Sequence, residues 1–257
     1  MNIILLKERK QTSDPYHIAL KEFGNVIFIP VLSINFVNLD HFEKLLSQDT
    51  YDGIIFTSGN AVKATKTALE KIASSITKVS LQKNCYVVGK ATDKLASEIG
   101  FKCSGSGCGN AEELAKLIIA ENSSTSSKGF LFPCGQLKRE TLPNMLKEAG
   151  IKLTCQTVYE TTEHRKIIEA IEKHKSQNMN PTIAIFFSPS GVQFSLPKFK
   201  QVYGEDLNGF YCAAIGQTTS EALKQAGIQP CCVAEHPNPD SLYLSIKSFI
   251  SSIENKS

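Results

Sequence analysis

A chain of 257 residues, 42% hydrophobic and 21% charged, has the composition of a folded globular protein with room for two domains, which excludes a disordered chain. Its net charge of +3 is spread without long runs of one sign, which argues against nucleic acid as a partner while leaving a small anionic ligand admissible. No stretch approaches the roughly 18 apolar residues of a membrane span, and the apolar part of MNIILLKERK is too short for a signal peptide, so a cytoplasmic chain is expected. The eight cysteines show no C-x-x-C spacing and are expected to be reduced, mostly buried thiols. Cys231, Cys232 and His236 lack a fourth ligand and the spacing of a closed site, so no metal is expected.

In chain order, Ile3 to Leu6 reads as a strand, and Asp14-Pro15 opens a helix that Gly24 ends. Val26 to Phe36 is an extended run broken by Pro30, which suits an edge position or a bend. A helix follows over Leu39 to Leu46, a strand over Gly53 to Thr57, a helix over Asn60 to Ile72 and a strand over Cys85 to Val88. Helices are predicted over Ala91 to Ile99 and, capped by Asn110, over Ala111 to Ala120. SSTSSKG, residues 123–129, reads as a surface loop.

The pattern then restarts. Strands are predicted over Phe130 to Pro133, Leu153 to Thr161, Ile183 to Phe187 and Phe210 to Ile215. Helices are predicted over Lys138 to Ala149, Glu163 to Lys175, Val192 to Pro197 in part, Thr219 to Ala226 and Asp240 to Ile250.

The two passes align. KEFG (21–24) matches KEAG (147–150), FTSGNAV (56–62) matches FSPSGV (187–192), and VGKATDKLASEIG (88–100) matches IGQTTSEALKQAG (215–227). The offset of about 126 to 130 residues suits a duplicated domain, with a boundary near Ser126. Alternating strands and helices imply parallel sheets covered on both faces, with ligands at the carboxyl ends of the strands.

Those ends carry Thr57-Ser58-Gly59-Asn60, Gly89-Lys90-Ala91-Thr92, Ser188-Pro189-Ser190-Gly191 and Gly216-Gln217-Thr218-Thr219. A glycine-turned strand end leading into a helix leaves free N–H groups that attract anions. The competing reading is plain helix capping by Ser, Thr and Asn, and the two are compatible. Gly105-Ser106-Gly107-Cys108-Gly109 fails as a dinucleotide fingerprint because Asn110 replaces the last glycine and no strand leads in. Lys138 and Arg139, after Pro133-Cys134-Gly135, can reach a carboxylate or simply face solvent. Tyr159 lies in the extended run between the passes, as core filler or as a polar tip in a cleft.

Together IPVLSINF (29–36), IIFTSGNAV (54–62), YVVGKAT (86–92), CGNAEELA (108–115), LFPCGQLKRE (131–140), TVYET (157–161), FFSPSG (186–191) and AAIGQTTSEAL (213–223) resemble uroporphyrinogen-III synthases of the animal-like form. Asn60 stands where such relatives tend to carry a basic residue, and Tyr211 where a lysine is often seen. The resemblance implies two similar parallel-sheet, three-layer (α/β/α) domains with a cleft between them. It replaces the boundary near Ser126 with a discontinuous domain (1–33 plus 163–257), an inserted domain (37–156) and a two-stranded hinge (31–36 and 157–162).

It further implies a lyase that closes hydroxymethylbilane, a linear tetrapyrrole with eight carboxylates, to uroporphyrinogen III. Water is lost and ring D is inverted through a spiro intermediate, without cofactor or metal and as a monomer. Unaided closure needs no inversion, so the demand on the protein is orientation. On this reading Thr57, Ser58, Gly59, Asn60, Lys90, Thr92, Gly135, Lys138, Arg139, Ser188, Ser190, Gly191, Gln217, Thr218 and Thr219 bind substrate. Tyr159, whose phenolic O–H can be donated, is the one candidate proton donor. A non-catalytic two-lobed protein that binds an anionic metabolite is the alternative.

Overall fold

The structure is a computed structural model and describes residues 1–9, 13–48, 50–72, 81–122, 128–177, 181–207 and 209–254. Most of the loop predicted over residues 123–129 lies outside the described residues. The chain begins with β1 (Asn2–Leu6), α1 (Pro15–Leu20), a 3-10 turn (Lys21–Phe23) and β2 (Asn25–Phe28). It continues with β3 (Leu32–Phe36), α2 (Leu39–Ser47), β4 (Gly53–Phe56), α3 (Gly59–Leu69) and β5 (Asn84–Val87). Next come α4 (Lys90–Glu98), β6 (Cys103–Ser104), α5 (Ala111–Glu121), β7 (Phe130–Gly135), α6 (Thr141–Glu148) and β8 (Leu153–Glu163). The remainder is α7 (Ile167–Gln177), β9 (Thr182–Phe186), α8 (Pro189–Tyr203), β10 (Phe210–Ala214), α9 (Gln217–Gln225), β11 (Cys232–Val233) and α10 (Pro239–Glu254).

Two compact units divide the chain, Met1–Ser33 with Thr162–Ser257 and Ile34–Thr161. The breaks fall at residues 33/34 and 161/162, inside β3 and β8, which are neighbours in one sheet. The repeat-based boundary near Ser126 fails because the second pass borrows its first strands from the start of the chain.

In the discontinuous unit the strands run in the order β11-β10-β9-β1-β2, and every pairing is parallel. Strand β1 is buried along its whole length, as a parallel strand covered on both faces must be, and so reads as a continuous apolar run. Its residues alternate between two cores. Ile4 and Leu6 join Ile171, Leu196, Phe199 and Leu223, from α7, α8 and α9. Ile3 and Leu5 join Leu20, Leu242 and Ile246, from α1 and α10. Those two cores make the three layers.

The other unit has the order β3-β8-β7-β4-β5-β6. Phe56 and Val87 pack with Phe42, Val62 and Ala96, from α2, α3 and α4. Ile55 and Phe132 pack on the other face with Leu114, Ile118, Leu142 and Leu146, from α5 and α6.

Three local expectations need correction. Helix α8 runs through Pro197 instead of stopping there. The proline removes a helical hydrogen bond at a cost of about 3 kcal/mol, but Val192, Leu196 and Phe199 on the same helix are all buried, and that burial outweighs it. Helix α6 begins at Thr141, so Lys138 and Arg139 lie in the loop before it.

The third correction concerns the thiols. Parallel pairing of β5 with β6 sets Cys85 opposite Cys103, with Cα atoms 4.4 Å apart, and the two form a disulfide. The other six cysteines are free. Thiol titration of unreduced, denatured protein is therefore expected to find six groups; eight would show that no disulfide forms.

Candidate functional site at the strand ends

The four turns singled out above follow β4, β5, β9 and β10, and each opens a helix. They come in two chemical kinds, repeated in the two units. After β4 and β9 a serine caps the helix. Ser58 Oγ accepts the N–H of Asn60 at 3.2 Å, and Ser188 Oγ accepts the N–H of Gly191 at 3.0 Å. In both turns one amide is already used by the cap.

After β5 and β10 the cap position is glycine, Gly89 and Gly216, and neither has a side chain to offer. The N–H groups of Lys90, Ala91 and Thr92, and of Gln217, Thr218 and Thr219, open α4 and α9. A helix provides no carbonyl for these first amides, and they point at whatever lies beyond the strand end. Lys90, Gln217 and Thr218 are exposed. Thr92 and Thr219 are buried at 7% and 2% exposure, so their side chains face inward.

Glycine is required at position 89 by its φ of +79°. Gly216 has an extended φ of 175°, and a Cβ there would meet no atom within 4 Å. Gly216→Ala is thus expected to leave thermal stability unchanged while weakening substrate use, because its methyl group stands beside the α9 amides. A normal kcat/KM in that variant would remove the turn from the site. Gly59 and Gly191 have packing reasons of their own. A Cβ on Gly59 would lie 2.7 Å from Leu95 Cδ1, and one on Gly191 would lie 3.2 Å from Ser188 Oγ.

In the Ile34–Thr161 unit the neighbouring order β8-β7-β4-β5 brings Tyr159, Gly135, the Thr57–Asn60 turn and the Lys90–Thr92 turn to one edge of one sheet. In the discontinuous unit Ser188, Ser190 and Gly191 sit beside Gln217, Thr218 and Thr219 because β9 pairs β10. Lys138 is held by Glu140 in an ion pair, and Arg139 is exposed. Two hollows of this unit lie elsewhere. One of about 570 Å³ is lined by Gln82, Asn84, Lys102 and Glu121, another of about 590 Å³ by Pro143, Asn144, Lys147 and Lys152.

The strand ends also hold a cluster that sequence reasoning passed over. Lys7, just past β1, donates to Asp14 Oδ2 at 2.6 Å. Its Nζ stands 4.8 Å from the ring centre of Tyr16, 5.6 Å from that of Phe187 and 5.8 Å from that of Phe28. Asp14 also caps α1, its Oδ1 accepting the Tyr16 N–H at 3.0 Å. Burial would raise the Asp14 carboxyl, yet the hydrogen bond and charge of Lys7, with the N–H groups of Tyr16 and His17, hold it below the usual carboxylate range. The available signal was a lysine closing an apolar strand, followed by an Asp-Pro cap.

Residues 17–243 match the family model described as uroporphyrinogen-III synthase HemD. The chain belongs to the uroporphyrinogen-III synthase family. A uroporphyrinogen-III synthase of Schizosaccharomyces pombe is 32% identical over 96% of this chain and 96% of its own length. That of Saccharomyces cerevisiae is 27% identical over 97% and 96%. Among solved structures, uroporphyrinogen-III synthetase from Helicobacter pylori 26695 shares the fold with a TM-score of 0.65, at 20% identity, over 93% of this chain and 95% of that one. A mutant uroporphyrinogen III synthase from Thermus thermophilus does so with a TM-score of 0.57, at 17% identity, over 98% and 99%. The uroporphyrinogen-III synthase match therefore spans both units. Among the described residues, no helix is long and apolar enough to cross a membrane.

Proposed function

We propose that this chain closes hydroxymethylbilane to uroporphyrinogen III, a step of tetrapyrrole biosynthesis, with loss of water and inversion of the last pyrrole through a spiro intermediate. The observation that carries the reading is the family match over residues 17–243. The duplicated glycine-opened turns suit it chemically. Eight substrate carboxylates need many donors that cost little to desolvate, and backbone amides at helix starts are such donors.

Thr57, Ser58, Gly59, Asn60, Lys90, Thr92, Lys138, Arg139, Ser188, Ser190, Gly191, Gln217, Thr218 and Thr219 bind the substrate. Tyr159 gives its proton to the departing hydroxyl. Residues 31–36 and 157–162 serve as the hinge. The protein acts as a monomer in the cytoplasm.

Incubation of the purified protein with hydroxymethylbilane, followed by isomer analysis, tests this. Enrichment of isomer III over isomer I is expected. Isomer I alone, as an empty control gives, would refute catalysis, and slowed product formation without isomer III would point to a protein that only binds the substrate.

A further inference from the structure

Tyr159 owes its place to an irregularity in the sheet. Along β7 and β8 the partners advance in step, from Phe130 opposite Leu153 to Cys134 opposite Thr157. The next pair is Gly135 opposite Tyr159, so Val158 is an extra residue on β8, a β-bulge. In a regular strand consecutive side chains leave by opposite faces. Here Val158 is fully buried in the core under α2, α3 and α4, and Tyr159 packs against that same core. The bulge turns Tyr159 onto a face that the alternation would have denied it. The bent backbone is pinned on both sides. The Val37 N–H donates to Val158 O at 3.0 Å, the Gln136 N–H donates to Tyr159 O at 3.0 Å, and Asn38 Nδ2 donates to Thr157 O at 3.1 Å.

Turned this way, the phenol lies directly over Gly135. A Cβ on Gly135 would stand 2.8 Å from both Cε2 and Cζ of Tyr159 and 2.9 Å from its hydroxyl oxygen. Real Cβ atoms do not approach other atoms so closely, and the obstructed part of the ring is the end that carries the hydroxyl. Position 135 is not among the positive-φ glycines, so glycine is needed there for close approach and not for backbone conformation.

We propose that Gly135 is a positioning residue for Tyr159: its missing side chain, together with the bulge at Val158, fixes where the phenolic hydroxyl meets the substrate. This rests on the reading of Tyr159 as proton donor. It gives Gly135 a role different from the substrate contact expected from the sequence.

The test compares four proteins, wild type, Gly135→Ala, Tyr159→Phe and Gly135→Ala/Tyr159→Phe, on hydroxymethylbilane. Alanine keeps the backbone N–H and adds only a methyl group, so at a glycine that merely bound substrate the methyl would obstruct binding and raise KM. A positioning glycine changes kcat, with an expected fall of about 10-fold or more and KM within about 3-fold, since proton donation is worth roughly 10²–10⁴-fold. With the hydroxyl already gone, adding Gly135→Ala is expected to lower kcat by less than about twofold.

Normal kcat in Gly135→Ala beside an impaired Tyr159→Phe would overturn the role of Gly135 alone. Unimpaired Tyr159→Phe would overturn the proton-donor reading and the positioning role with it. Independent, multiplying effects in the double variant would also refute positioning. Should Gly135→Ala fail to fold, Gly135→Ala/Tyr159→Ala removes the ring that obstructs the methyl group. Recovery of a cooperative thermal transition is then expected, and an unfolded double variant would refute the contact.

Discussion

Tyr159→Phe is expected to lower turnover by about 10²–10⁴-fold, the usual worth of a positioned general acid, while the product that does form remains isomer III. Hydroxide is a poor leaving group, and the departing hydroxyl of hydroxymethylbilane needs a proton. The phenol is half-buried at the carboxyl end of the sheet, fixed over Gly135. Phenylalanine keeps the ring, its packing on Val158 and its neighbours, and removes only the donor, so the melting temperature should move little. Ring inversion depends on how the chain of pyrroles is held, and the amide-lined turns proposed to hold it are untouched. The two readouts therefore separate: rate falls and isomer ratio stays. Rate within about twofold of wild type would reduce Tyr159 to packing, and a shift to isomer I would give it a part in directing closure.

The largest stability effect is expected at a residue with no proposed role in the chemistry. Lys7→Met keeps an apolar stem among Tyr16, Phe28 and Phe187 but leaves Asp14, at 1% exposure, without its cation. Breaking a buried pair by removing one partner costs about 3–5 kcal/mol. The pH dependence follows from the direction of the Asp14 shift. Its folded pKa lies below the unfolded value of about 3.9, so the pair's contribution is complete above that value and is lost as pH falls through the folded pKa. In Lys7→Met the burial that remains favours the neutral acid and reverses the sign. Denaturant unfolding at pH 7 and near pH 3 should thus show a wide gap between the two proteins at neutrality and a narrow one in acid. A gap below about 1 kcal/mol at pH 7, or one of equal width at both pH values, would mean that the aromatic rings and not the ion pair hold this corner.

What could be read in advance was whatever local pattern encodes. The strands of the sheet centres announce themselves as apolar runs, such as Ile3 to Leu6 and Ile183 to Phe187, because burial on both faces leaves no polar alternation to obscure them. The strand-end turns were legible because glycine and hydroxyl residues have few other uses just before a helix. Strands β6 and β11 escaped notice because two residues carry no period. The Cys85–Cys103 disulfide, the Lys7–Asp14 pair and the contact of Gly135 with Tyr159 are invisible for a different reason. Each depends on which residue of one strand or loop stands opposite which of another, and at the bulge a single inserted residue resets that register. Pro197 misled because a local penalty was weighed without the tertiary burial that overrides it.

The order in which the chain is made has a consequence for the discontinuous unit. Strand β1 sits in the interior of its sheet, between β2 and β9. The ribosome delivers β1 and β2 before Ile34–Thr161, and β9 only after the whole of that unit has been synthesised. At about 5–20 residues per second the segment Met1–Ser33 waits on the order of 10 s with the β9-facing edge of β1 unpaired. The inserted unit meanwhile has all its own strands and can close. Until β9 arrives the inserted unit can already be closed while β1 keeps an open apolar edge, and the yield of folded protein is expected to depend on keeping that edge away from other chains.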